Sequence, residues 1–277
     1  MSLLASLVSR WFGPPRPVLD PEAFTQMFAD RLRDRLPVAG IEVLAPLALA
    51  IERGDDRAQL FLDNLFRLAC EAADDLERAE VIDRYLASMA DASAIDAAGI
   101  DDIVPVLKPA GWFDALPCLQ DGGRPRHWIE PLAADVSIVY AIDTVDHLGF
   151  VTEPWFVERG IPRDGLRRRA ADNLRAKIPR LSVQRGRGVN LVIAGGTHDA
   201  SILLFDDFWA REVPRLRGDP VIAIPARDVL VFGDSSDARV LAELRRHARD
   251  IHADAAYALS PNLFRRAADG TITLFEG

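Results

Sequence analysis

The chain has 277 residues, 49 % apolar and 27 % charged, with 33 basic against 42 acidic side chains and a net charge of −9. That length suits two ordinary cores, the apolar share excludes a disordered chain, and the acidic balance argues against a general nucleic-acid coat. The two cysteines, Cys70 and Cys118, lie outside any CxxC spacing, which excludes a disulfide framework, argues against a cysteine zinc site and points to a reducing, cytoplasmic compartment.

Residues 1–12 place Leu3, Leu4, Leu7, Val8, Trp11 and Phe12 on one helical face, ahead of a Pro-rich break at 13–17. They lack the positive start, long apolar core and cleavage site of a secretory signal. Two roles stay open: a short helix packed on its own domain, and peripheral docking to a membrane or a partner, which a single positive charge weakens. No stretch approaches the ~18–20 apolar residues of a spanning helix.

Residues 21–36 read as a helix capped by Asp20, with Pro21 in first position and Phe24, Met27, Phe28 and Leu32 as its stripe. An apolar run at 41–51, split by Pro46, reads as strand; a turn at Gly54-Asp55-Asp56 returns the chain as a hairpin partner at 58–62. Helical spacing follows from 64 to 89 with an interruption near Asp74 and Asp75. Between 91 and 131 periodicity fails among Pro105, Pro109, Pro117, Pro125 and Pro131, the expected domain boundary, with a candidate edge strand at 103–107. Beyond it, strands are expected at 136–142, 148–152, 189–193, 221–224 and 229–232 and twice near the end, with helices at 164–177, 201–213 and 237–251. The expected fold is α+β: strand pairs alternating with helices, in two lobes with antiparallel or mixed sheets. Its divisions are an amphipathic segment and linker (1–20), an N-terminal α+β domain (21–102), a Pro/Gly-rich connector (103–131) and a C-terminal α+β domain (132–277).

Five ordered segments resemble a known family: Val104-Pro105-Val106-Leu107-Lys108, Tyr140-Ala141-Ile142-Asp143, Ala170-Ala171-Asp172-Asn173-Leu174, Asp199-Ala200-Ser201-Ile202-Leu203 and Ile224-Pro225-Ala226-Arg227-Asp228-Val229-Leu230. Together they are similar to the YtpQ family, bacterial proteins of about this length classed as a domain of unknown function. The likeness is clearest over 104–230. It implies a cytosolic bacterial protein and brings no activity, cofactor or catalytic residue with it.

Chemistry must therefore be sought in the residues. From 163 to 187 nine basic side chains (Arg163, Arg167, Arg168, Arg169, Arg175, Lys177, Arg180, Arg185, Arg187) face two acidic ones, +7 locally against −16 elsewhere. Helical i,i+4 acid partners are mostly missing there. Two readings stand: pairing with acidic surface of the other domain, which has charge to spare, or docking of an anionic ligand or acidic protein partner through Arg167, Arg168, Arg169, Arg185 and Arg187.

Two turns precede expected helices. Gly195-Gly196-Thr197-His198-Asp199-Ala200-Ser201 is neither a GxGxxG nor a P-loop, so Asp199 or Ser201 is read as a cap. In Gly233-Asp234-Ser235-Ser236-Asp237 a nucleophilic Ser235 lacks a suitable histidine, leaving Ser236 or Asp237 as cap. The five histidines form no HxH, HxxxH or HExxH pattern, and neither a metal nor another cofactor is indicated. Polar residues in apolar surroundings, Tyr140, Asp143, Asn173, Asp199, Ser201 and Asp228, either tie loops together or line one cleft. The favoured reading is a non-enzymatic binding or adaptor protein; the alternative is a small hydrolase or transferase using that cleft.

Overall fold

The computed structural model describes residues 19–35, 40–53, 56–90, 98–114, 126–143, 148–178, 180–255 and 257–277. The amphipathic segment 1–12, the Gly54-Asp55 step, Cys118, Gly122, Gly123, Asp146 and His147 lie outside them. The fold is α+β, with antiparallel sheets throughout the described strand pairs. Two compact units divide it, one holding the described residues before 91 with Leu148 and Gly149, the other those of 98–114, 126–143 and 150–277.

In the first unit, α1 (Pro21–Arg35) precedes a meander of β1 (Gly40–Ala45), β2 (Ala48–Arg53) and β3 (Asp56–Phe61), followed by α2 (Asp63–Glu71) and α3 (Asp75–Ala90). Pro46 makes two strands of the apolar run expected as one, because proline cannot continue a ladder. Buried Thr25 fixes that turn: its hydroxyl donates to Pro21 O (2.6 Å) and accepts from the Leu47 amide (2.7 Å), where φ is +63°. Asp20 caps α1 as expected, accepting from the Ala23 amide at 3.0 Å. Phe24, Phe28 and Leu32 of α1 pack with Leu49, Leu65, Ile82 and Leu86 in one core, the product of helical stripes facing a sheet.

The second unit carries β4 (Ile103–Pro109), β5 (Ile129–Ala133) and β6 (Val136–Asp143) in a sheet of order β4-β6-β5, and after β7 (Leu148–Phe150), whose first two residues are assigned to the first unit, α4 (Glu153–Glu158) and α5 (Leu166–Lys177). A six-stranded sheet follows, ordered β13-β12-β10-β11-β9-β8, from β8 (Ser182–Arg185), β9 (Asn190–Ile193), β10 (Pro220–Ala226), β11 (Val229–Asp234), β12 (Leu263–Arg266) and β13 (Ile272–Leu274). The helices α6 (Asp206–Glu212) and α7 (Ala238–Asp254) complete it.

Central strand β11 is covered on both faces. Phe232 meets Phe208 and Trp209 of α6 with ring centroids 6.1 and 5.3 Å away, while Gly233 lies under Val240 and Leu244 of α7. A methyl at Gly233 would stand 2.4 Å from Val240 Cγ1, so the helix needs glycine there to reach the sheet.

Two expectations need correction. Gln184 and Arg185, outside every expected strand and helix, belong to β8, an edge strand whose polar side chains carry no alternation signal. The single helix expected at 201–213 is a 3₁₀ segment Asp199–Leu204, then α6, then a 3₁₀ turn Val213–Arg215. All six residues of the first segment are buried, so packing on all sides overrides helical periodicity.

Candidate functional site

The arginine-rich stretch is held largely by carboxylates distant in sequence. Arg167 Nε donates to Glu130 Oε1 at 2.8 Å, Arg169 Nε to Asp101 Oδ1 at 3.1 Å, and Arg185 Nη2 to Glu212 Oε2 at 2.5 Å. Arg163 lies 3.3 Å from Glu153 and 4.2 Å from the Trp128 ring, and Arg175 lies 3.5 Å from Asp207. Lys177 donates to the Asp143 carbonyl. Arg168, Arg180 and Arg187 are exposed and have no ion-pair partner among the described residues.

The six polar residues expected to line one cleft have separate sets of partners. Tyr140 donates to Glu130 Oε2 at 2.6 Å, beside Arg167; burial, then the Glu130 carboxylate, push its hydroxyl far above the ordinary value. Asn173 spends its amide on Ile100 O (2.8 Å) and Ile103 O (2.9 Å), tying α5 to the start of β4. Asp143 and Asp199 lie beside His198, which sequence reasoning left out of the group, and Asp228 is near enough to Asp199 to act on its carboxyl. His198 Nε2 is 3.5 Å from Asp143 Oδ2, and its Nδ1 is buried without a hydrogen-bond partner among the described residues.

Asp199 does not cap forward. Its carboxylate turns back to the Ala194 (2.8 Å) and Gly196 (2.6 Å) amides, closing the Gly195-Gly196 turn, where φ is +104° and +78°. Burial raises its pKa, and the Asp228 charge adds to that, against the two amides. Ser201 is buried, with its amide on His198 O at 2.9 Å. Among the described residues no group of three or more His, Cys, Asp or Glu side chains is placed to hold a metal.

A different place gathers cations around open space. A cleft of about 520 Å³ is lined by Arg185 and Asn190 from the β8–β9 hairpin, Arg215 and Arg217 from the loop before β10, and Ser236 and Asp237 before α7. Its walls are stapled by Asp234, whose carboxylate accepts from the Arg217, Gly218 (2.9 Å) and Ser236 (2.9 Å) amides. Burial pulls the Asp234 pKa up, but the amides and hydroxyl of Ser236 and the amides of Arg217 and Gly218 together hold it below the ordinary 3.8. Gly218 admits this close approach, since a methyl there would stand 2.5 Å from Ser235 Oγ. Asp237 is the cap of α7, accepting from the Arg239 (2.9 Å) and Val240 (3.4 Å) amides. Ser235 has no catalytic partner in His247, whose imidazole is held 3.3 Å from Glu243 on its own helix.

Three arginines thus line one recess together with the start of a 17-residue helix, while both of its acids accept backbone N–H groups. Arg215 and Arg217 were missed because they stand outside the arginine-rich stretch. The available signal was the spacing Arg-Leu-Arg-Gly just before a strand.

Comparison with known proteins finds relatives among UPF0354 proteins, an uncharacterised bacterial family. The chain is 31 % identical over 123 residues to one from Listeria welshimeri, and 29 % identical over 123 residues to ones from Listeria monocytogenes and Listeria innocua. Each match covers 44 % of this chain and 46 % of the relative, so the chain spans about half the length of the curated relatives it matches. No family model matches the chain, and no solved structure is similar to it. No helix among the described residues is long and apolar enough to cross a membrane.

Proposed function

We propose that this chain is a cytoplasmic binding protein of the YtpQ family, without catalytic chemistry of its own, that captures an anionic group in the arginine-lined cleft. The observation that carries the reading is the convergence of Arg185, Arg215 and Arg217 on one recess beside the start of α7. A phosphate or carboxylate entering there meets several guanidinium donors and a favourable helix end. Arg185 is already oriented by Glu212, so little side-chain freedom is lost when an anion arrives. Arg187 stands exposed just past β8, where it adds to the attraction at longer range. Arg167 and Arg169 serve instead as intramolecular ties to Glu130 and Asp101.

Binding is favoured over the hydrolase or transferase alternative because Tyr140 and Asn173 are committed to other partners, and because the His198 nitrogen left over from Asp143 is sealed. Calorimetric titration with pyrophosphate tests the reading. The unaltered protein is expected to bind it, and Arg215→Ala with Arg217→Ala is expected to weaken binding about tenfold or more, with a shallower salt dependence. Unchanged affinity in that double variant overturns the proposal, as does no binding to the unaltered protein.

A further inference from the structure

The six-stranded sheet ends at β8, and among the described residues no strand pairs with its outer edge. Its inner edge is regular: Ser182, Val183, Gln184 and Arg185 stand opposite Ile193, Val192, Leu191 and Asn190 without a bulge. An unbulged strand leaves a straight row of main-chain donors and acceptors facing outward, the template on which an extended peptide adds as a further strand. Ser182, Gln184 and Arg185 are exposed and Val183 is half-buried.

Charge says what could lie there. Arg180 and Arg187 flank the strand, exposed and with no ion-pair partner among the described residues, and Arg185 reaches from the same strand into the cleft. A second copy of this chain pairing edge to edge would set these arginines against their own equivalents, at a repulsive cost. An acidic strand meets the same row with attraction, and edge charges of this kind speed the encounter of opposite partners.

We infer that the β8 edge accepts an acidic, extended segment of a partner protein, which adds as a seventh strand and seats a carboxylate in the arginine cleft. This rests on the anion-binding reading above and gives it a partner: the cleft takes a side chain, and β8 takes the main chain that carries it. Backbone pairing supplies adhesion with little sequence demand, while the cleft and the flanking arginines select for negative charge.

The test uses the full chain and a fluorescein-labelled ten-residue peptide of alternating valine and glutamate, with a valine–lysine peptide as control. Anisotropy is expected to show binding of the acidic peptide alone, weakened about tenfold or more in the Arg180→Glu, Arg187→Glu double variant. Hydrogen exchange is expected to slow at two of the four β8 amides when the peptide is bound, since alternate residues face outward. Both altered arginines are exposed and unpaired among the described residues, so circular dichroism should match the unaltered protein. Pyrophosphate titration of the same variant separates the two claims. If pyrophosphate binds but the peptide does not, or the peptide binds without slowing β8, or charge reversal leaves its affinity unchanged, the strand-addition inference fails while the cleft stands. Self-association that already protects the β8 amides also overturns it, in favour of a second copy. If neither probe binds, both fail.

Discussion

Glu212 and Arg185 form a pair in the second unit with one buried partner. Glu212 is 7 % exposed, and its carboxylate is satisfied by the Arg185 guanidinium at 2.5 Å. Removing one partner of a buried pair leaves the other charge without compensation. Arg185→Ala is therefore expected to lower stability by about 2–3 kcal/mol, below the ~3–5 kcal/mol for a fully buried pair because Arg185 is itself exposed. Arg217 contributes only its backbone amide to the Asp234 staple, so Arg217→Ala should leave the melting temperature within about a degree. Chemical denaturation of the two variants checks the contrast; equal losses would mean that the pair is not what holds Arg185. None of this was readable from local spacing. The acids that take Arg167, Arg169 and Arg185 are Glu130, Asp101 and Glu212, between 27 and 68 residues away. An absence of i,i+4 partners on α5 therefore signalled long-range pairs as well as free charge, and only topology separates the two.

Between elements, the cleft depends on one turn. Asp234 ends β11 and binds the loop before β10 to the turn before α7 through three backbone amides. Its carboxyl is held below the usual 3.8 in the folded protein, so the folded state favours the ionised form. The resulting stability is present above the unfolded value and is lost as pH falls through the lowered folded value. Thermal melts taken from about pH 6 to about pH 2 should show a steeper acid loss in the unaltered protein than in Asp234→Asn. Parallel curves would remove Asp234 as the staple. Much of this scale was legible in advance. Val229, Leu230, Val231 and Phe232 announce β11, and Asp237 announces the start of α7. What escaped were elements that carry no apolar period: the edge strand β8, with a single half-buried valine, and the 3₁₀ segment Asp199–Leu204, buried all round. The turn after β9 was expected to be capped from Asp199 forward, whereas its carboxylate closes the turn behind it.

At the scale of the whole molecule, a chain of net charge −9 carries an arginine-lined recess. The general field repels anions, so capture depends on short-range donors; Asp234 and Asp237 are committed to backbone amides, while Glu212 is held by Arg185 itself. Of the six polar residues expected to line one cleft, Asp143 and Asp199 lie beside the buried His198, while Tyr140 and Asn173 are bonded to Glu130 and to the start of β4. The recess that is open draws on the β8–β9 hairpin, the loop before β10 and the start of α7, joined only by sheet order β10-β11-β9-β8. Mapping of backbone amide shifts by NMR during titration with pyrophosphate addresses that arrangement directly. The account predicts the largest shifts at Gly188, Asn190, Arg217, Ser236 and Ala238. Shifts confined to Arg167, Arg168 and Arg169 on α5, with the cleft silent, would contradict it.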